Sequence, residues 1–234
     1  MQWACRFIPN ATQGPFQRCY ITVSGAMDDQ TEVLHEFAKI CWQLKIEHDL
    51  FCSLFDRGPS QADLLQRTAP FLFGDVHAIM RNQLFLGFCR ITDHAGSGKR
   101  TNLTTNFIVE RLPWSSEVRA KLAKVNGRLI KFRTFVEAAR SRRIAHMDLK
   151  AQMEKETLGA FPAGADQEFL TDLEEFLNIA FQETTGEPFS LPVGGSTDTD
   201  QLVSALTKAE LFDQCQKCSE LDRFNAILDA EQRA

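Results

Sequence analysis

Tyrosine and tryptophan are nearly missing: the 234 residues hold one Tyr and three Trp against 19 Phe. Phenylalanine has no polar tip, so these rings belong in a packed interior, not on a wet surface that stacks sugars or bases. Also missing is any apolar run near the roughly 18 residues of a membrane span. The richest stretch, Phe71 to Ile91, is broken by Asp75, His77, Arg81, Asn82, Gln83 and Arg90. No apolar segment of the signal-peptide kind follows the first residues, so no targeting segment and no membrane partner are expected. Seven cysteines, an odd number at irregular spacings, make no secreted disulfide framework and fit a reducing cytoplasm.

Ligand signatures are scarce too. Cys215 and Cys218 form a C-x2-C pair with no second pair to complete a structural zinc site, and they read as ordinary helix residues. His35, His48, His77 and His94 are scattered, without an H-E-x-x-H pairing. His77, on a largely apolar helix, reads as a hydrogen-bonded core or interface histidine. Gly96-Ser97-Gly98-Lys99-Arg100 lacks the spacing of a phosphate loop, follows a helix, and reads as a flexible loop. No metal and no cofactor are expected.

What is there is helical periodicity. Apolar residues recur at helical spacing from Thr31 to Phe55, from Pro70 to Asp93, from Leu103 to Leu112, and from Ser115 or Ser116 towards Lys150. Further helices follow around Phe169 to Phe181 and from Thr197 onward, where Thr197 and Asp200 fit a capping box. Ser60 and Asp63 fit another, opening a short helix after Gly58-Pro59. Gly74 and Gly87 either weaken their helix or let a second helix approach closely. Arg18 to Ser24 is β-prone, but strands do not alternate with helices. The fold class is all-α: an irregular arm over 1–30, a helical domain over 31–157, and C-terminal helices over 158–234 packing on it.

The net charge of −5 gives no general case for nucleic acid. Its distribution does. Arg119 to Lys155 carries 11 Lys and Arg against 3 Asp and Glu, which can focus a polyanion onto one surface. A solvated helix face balancing acidic neighbours is the other reading. Within this stretch lies Arg140-Ser141-Arg142-Arg143-Ile144-Ala145-His146-Met147-Asp148. Arginine can grip phosphate oxygens bidentately, and histidine can move a proton near neutral pH. On an ideal α-helix Arg142 and His146, four apart, share a face. Those groups suffice to cleave RNA without a metal, since the 2′-OH is itself the nucleophile. A basic helix end with His146 favouring the dipole is the plain alternative.

The segment resembles the signature of the HEPN superfamily, in its abortive-infection AbiU-like branch, which often reads R-N-K-x-x-A-H-x-D. Ser141 stands where Asn is common and Arg142 where Lys is common. Gly87-Phe88-Cys89-Arg90-Ile91-Thr92-Asp93, a Gly-rich loop and Asn102-Leu103-Thr104 precede the motif, as in that branch. The resemblance implies a helical bundle that dimerises with two motifs facing one cleft. It also implies a metal-independent endoribonuclease, often in toxin–antitoxin or phage-defence systems. In that reading Arg140 and His146 are catalytic, and Ser141, Arg142, Arg143 and Asp148 bind RNA or support the site. The rival is an inactive HEPN-like dimer that binds a nucleotide or a partner protein, such as an antitoxin or nucleotidyltransferase.

Overall fold

A computed structural model describes residues 29–97, 100–145, 148–149, 153, 158–192, 194 and 196–231. The β-prone stretch of the N-terminal arm lies outside the described residues. The helices are α1 (Asp29–Phe55), α2 (Pro59–Thr68), α3 (Pro70–Ile91), α4 (Thr105–Arg111), α5 (Ser116–Ala139), α6 (Ala165–Thr185) and α7 (Ser196–Glu231). The fold is all-α. The loop after α3 holds a two-stranded antiparallel ribbon, β1 (Gly96–Ser97) and β2 (Arg100–Thr101). Gly96 sits at φ +106°, and a Cβ there would meet the Arg100 carbonyl oxygen at 2.1 Å, so this turn requires glycine.

Four long helices make the bundle, with neighbours round the ring in the order α1, α3, α5, α6. The phenylalanines fill it. Phe88 of α3, Phe132 of α5 and Phe169 of α6 meet with ring centroids 4.9–5.1 Å apart, and Phe37 of α1 meets Phe176 of α6 at 6.3 Å. Gly87 marks the closest approach of α3 to α1: a Cβ there would lie 2.6 Å from Leu44 Cδ1, whereas one at Gly74 would meet nothing. Helix α6, expected as part of a C-terminal extension, buries Phe169, Leu170, Leu173, Phe176, Leu177, Ala180 and Phe181 in the same core as α1, α3 and α5.

Caps set the helix ends that matter. Thr104 opens α4 by accepting from the Phe107 amide, and Ser115 opens α5 by accepting from Val118. The Arg119 guanidinium donates to the carbonyls of Val109, Glu110 and Leu112, satisfying the orphan acceptors at the end of α4. Helix α2 differs from the expected capping box. It starts on Pro59 behind Gly58, with no side-chain cap, because proline at the first helical position needs no amide partner. Among the described residues, no helix is long and apolar enough to cross a membrane.

Candidate functional site

The α3 helix ends in a polar knot. Thr92 is fully buried, and its hydroxyl donates back to the Phe88 carbonyl at 2.7 Å. The Thr92 carbonyl accepts from Arg133 Nη1 at 2.9 Å and from Asn106 Nδ2 at 3.2 Å. Asn106 Nδ2 also donates to the Asp93 carbonyl at 2.9 Å, and Asn106 Oδ1 accepts from Asn126 at 2.8 Å. Side chains of α4 and α5 thus take up the last carbonyls of α3. The ends of three helices become one unit.

Asp93 projects from that knot. Its carboxylate accepts from the His94 amide at 3.1 Å and lies 3.2 Å from Arg133 Nη2 and 3.6 Å from Arg140 Nη2. Arg133, 8% exposed, is the buried cation, held also by Glu137 at 2.9 Å. Buried groups of this kind are kept only with partners. The Cys89 thiol lies beside both arginines. Burial pushes its pKa up, and the positive charge of Arg133 and Arg140 pulls the other way.

The motif itself departs from ideal α geometry. After Ala139 the chain makes one π turn, Arg140–Ile144, closed by the Ala145 amide donating to the Arg140 carbonyl at 2.8 Å. The Ser141 hydroxyl donates to the Glu137 carbonyl at 2.9 Å. A serine bonded back onto the preceding turn loosens and bends a helix. His146 lies outside the described residues, and with it the face it was expected to share with Arg142. The side chains of Arg140 and Arg142 are each one third exposed. Arg143 is half-buried, and Ser141 is exposed. Asp148 Oδ1 lies 3.5 Å from Arg142 Nη2. Leu149 and Met153, just beyond, are both 76% exposed.

The basic stretch divides along its length. Arg119 caps α4, Lys121 pairs with Glu117, Arg128 pairs with Asp172 and Glu175, and Arg133 is buried. Balancing of acidic neighbours therefore accounts for much of α5, and Arg140 and Arg142 of the π turn also have acidic neighbours, Asp93 and Asp148, at the longer distances of 3.6 and 3.5 Å.

Two groupings carry no sequence signal. Arg133 follows Phe132 in an apolar stripe, and only the fold shows that it faces the end of α3. His48 and Cys52, one turn apart on α1, meet Asp166 of α6, 118 residues from His48. The expectation of no clustered ligand set is corrected here, because contact across helices brings together what sequence spacing cannot show. His77 packs against the rings of Phe51 and Phe55, with centroids 5.2 and 4.9 Å away. Burial, and then Arg81, lower its pKa. Cys215 and Cys218 are exposed and free.

The family model HEPN_AbiU2, described as AbiU2, matches residues 27–203, about three quarters of the chain. The chain belongs to the AbiU2 family of HEPN proteins. No curated protein and no solved structure matches it. The family match runs through α6 and into α7, in keeping with a bundle whose core needs α6.

Proposed function

We propose that this AbiU2-family protein is a metal-independent endoribonuclease acting in abortive infection or a toxin–antitoxin system. The observation that carries the reading is the placement of Arg140: anchored through Asp93 to the end of α3, yet one third exposed on a turn with two more arginines. A guanidinium held at one terminal nitrogen, and that only at 3.6 Å, keeps other N–H donors with which to receive a phosphate.

In this reading the RNA 2′-OH attacks the adjacent phosphorus and the P–O5′ bond breaks. His146 moves the proton, taking it from the 2′-oxygen or giving it to the 5′-oxygen. The second copy of the motif supplies the complementary step. Arg140 stabilises the charge that builds on the phosphoryl oxygens, and Arg142 and Arg143 hold the backbone. Asp148 keeps Arg142 in place. Ser141 supports the turn through the bond its hydroxyl donates to the Glu137 carbonyl. The products carry a 2′,3′-cyclic phosphate and a 5′-hydroxyl. Exposed Leu149 and Met153 beside the motif offer a second copy an apolar surface to cover, which supports a homodimer with two motifs in one cleft.

The second reading is an inactive dimer that binds a partner protein, such as an antitoxin or nucleotidyltransferase. The ion pairs Arg140–Asp93 and Arg142–Asp148 favour it, since a scaffold would keep its arginines engaged. The test is one labelled RNA and its DNA counterpart, incubated in EDTA with wild type and His146→Ala. RNA cleavage by the wild type, uncut DNA and a loss of roughly 10²- to 10⁴-fold in the variant support the nuclease. Equal cleavage by both proteins removes His146 from the chemistry, and no cleavage by either favours the scaffold.

A further inference from the structure

Between α1 and α6 an imidazole, a thiol and a carboxylate converge. His48 Nε2 lies 2.7 Å from Asp166 Oδ2. Cys52 Sγ lies 3.6 Å from His48 Nε2 and 3.8 Å from Nδ1. The three donor atoms lie within 4.8 Å of one another, the only such group among the described residues. His48 is buried, while Cys52 and Asp166 are half-buried, so an ion has a way in and solvent a way to its fourth position.

This is not a nucleophilic triad. That arrangement places the thiol and the acid on opposite ring nitrogens. Here the acid binds Nε2, and the sulfur is nearest the same nitrogen. The donor set is instead the borderline-soft mixture of nitrogen, sulfur and oxygen that suits zinc. With zinc bonds of about 2.0–2.3 Å, tetrahedral donors sit roughly 3.3–3.7 Å apart. The nitrogen–sulfur separation already falls there. The nitrogen–oxygen hydrogen bond must open by about half an ångström as its proton leaves. The sulfur, nearly equidistant from the two ring nitrogens, turns about χ1 to come ahead of Nε2.

We propose that His48, Cys52 and Asp166 bind one zinc-class divalent ion, which clips α1 to the first turn of α6 and leaves one coordination position to water. The clip bears on the fold near the motif, because Phe169, one turn along α6, packs on Phe88 and Phe132. It does not depend on the ribonuclease reading.

Binding releases the proton of the His48–Asp166 hydrogen bond and that of the Cys52 thiol, so affinity rises with pH. The charged and titratable groups around the site are Lys45, Asp49, Cys52 and Asp166, with Lys45 paired to Asp49 and Asp49 Oδ1 3.7 Å from His48 Nδ1.

The test uses the full chain carrying C215S and C218S, which removes the exposed cysteine pair as a competing site. Cobalt(II) is titrated in, then displaced by zinc, and proton release is followed by calorimetry in two buffers. The expected result is one cobalt per chain with tetrahedral d–d bands and a thiolate charge-transfer band. Zinc is expected to raise Tm. Cys52→Ser, which keeps the His48–Asp166 pair, should lose the charge-transfer band and the Tm increase. Asp166→Asn should weaken binding by at least about tenfold. A spectrum of hydrated octahedral cobalt, or a charge-transfer band that survives Cys52→Ser, overturns the proposal, whatever the RNA assay shows.

Discussion

Two of the contacts between an aspartate and a cation from another part of the bundle are built differently. His48 and Asp166 sit 2.7 Å apart with the imidazole 5% exposed. Arg140 and Asp93 sit 3.6 Å apart with the guanidinium one third exposed. The first pair is tight and enclosed, so its energy goes into joining α1 to α6. The second is long and open, because Asp93 also serves buried Arg133. What separates a joint from a candidate site is therefore not which residues pair but how much solvent and how much spare bonding capacity remain. Arg140 keeps both, and a phosphate can take them up.

The sharpest way to break this comparison is to remove each cation and ask what is lost. Arg140→Ala should lower RNA cleavage by roughly 10²- to 10³-fold, the usual worth of one charge-stabilising donor, and leave Tm nearly unchanged. A Tm loss of many degrees would make Arg140 a second structural joint. Asp93→Asn should do both kinds of damage, because buried Arg133 loses a charged partner while keeping Glu137 and the Thr92 carbonyl. We expect about 1–3 kcal/mol of lost stability, read from denaturant midpoints, together with slower cleavage.

The histidine joint should show itself through pH. Burial alone would lower the His48 pKa, but the hydrogen bonds and charges of Asp166 and Cys52 outweigh it and raise it to about 10. A raised folded-state pKa means that the stabilisation is fully present below about 6.5, the unfolded value, and is lost as pH climbs towards 10. His48→Gln should therefore cost stability at pH 6 and progressively less between pH 7 and 10. On the acid side Asp166 has its pKa lowered, first by its hydrogen bond to His48, so the same stabilisation also fades as pH falls through the carboxylate range. A gap between wild type and variant that stays constant from pH 6 to 10 would show that the ion pair is not what holds α1 to α6.

A smaller effect sharpens the other side. If the arginines of the π turn grip an RNA backbone, each contact releases counterions. Arg142→Ala should lower the slope of log affinity against log salt by about one, measured by fluorescence anisotropy at several salt concentrations. The same change at Arg128, which is paired with Asp172 and Glu175, should leave the slope unaltered. Equal slopes for wild type and Arg142→Ala would take Arg142 off the RNA.

The sequence predicts much of this fold because Phe, Leu and helix caps act locally. The helical periods place α1, α3, α5 and α6, and the close approach expected at Gly87 is there. Ser60 is no cap because the helix already begins at Pro59, which has no amide to be capped. The motif was legible as a string of residues but not as a shape, since the back-bond from Ser141 to Glu137 and the π turn after Ala139 replace the regular spacing. Arg133 and the His48–Cys52–Asp166 group were illegible for a simpler reason. Each owes its place to a partner tens of residues away, which no local pattern encodes.

The smallest expected effect concerns how α7 is held. Polar contacts tie it to the bundle, among them Ser53 to Thr199 at 2.9 Å, Arg57 to Asp200, and Arg67 to Glu210 through two hydrogen bonds of 2.7 and 3.2 Å. The last has the best ion-pair geometry, yet Arg67 is 57% exposed and Glu210 29%. An exposed pair gains little Coulomb energy in water and loses side-chain entropy, so Arg67→Ala should leave Tm unchanged. The Ser53 contact is buried, and Ser53→Ala should cost about 1 kcal/mol. Beyond Glu210 every residue from Leu211 to Glu220 is exposed. If Arg67→Ala lowered Tm as much as Ser53→Ala, burial would not be what decides which polar contacts matter here, and the contrast between the His48 and Arg140 pairs would lose its basis.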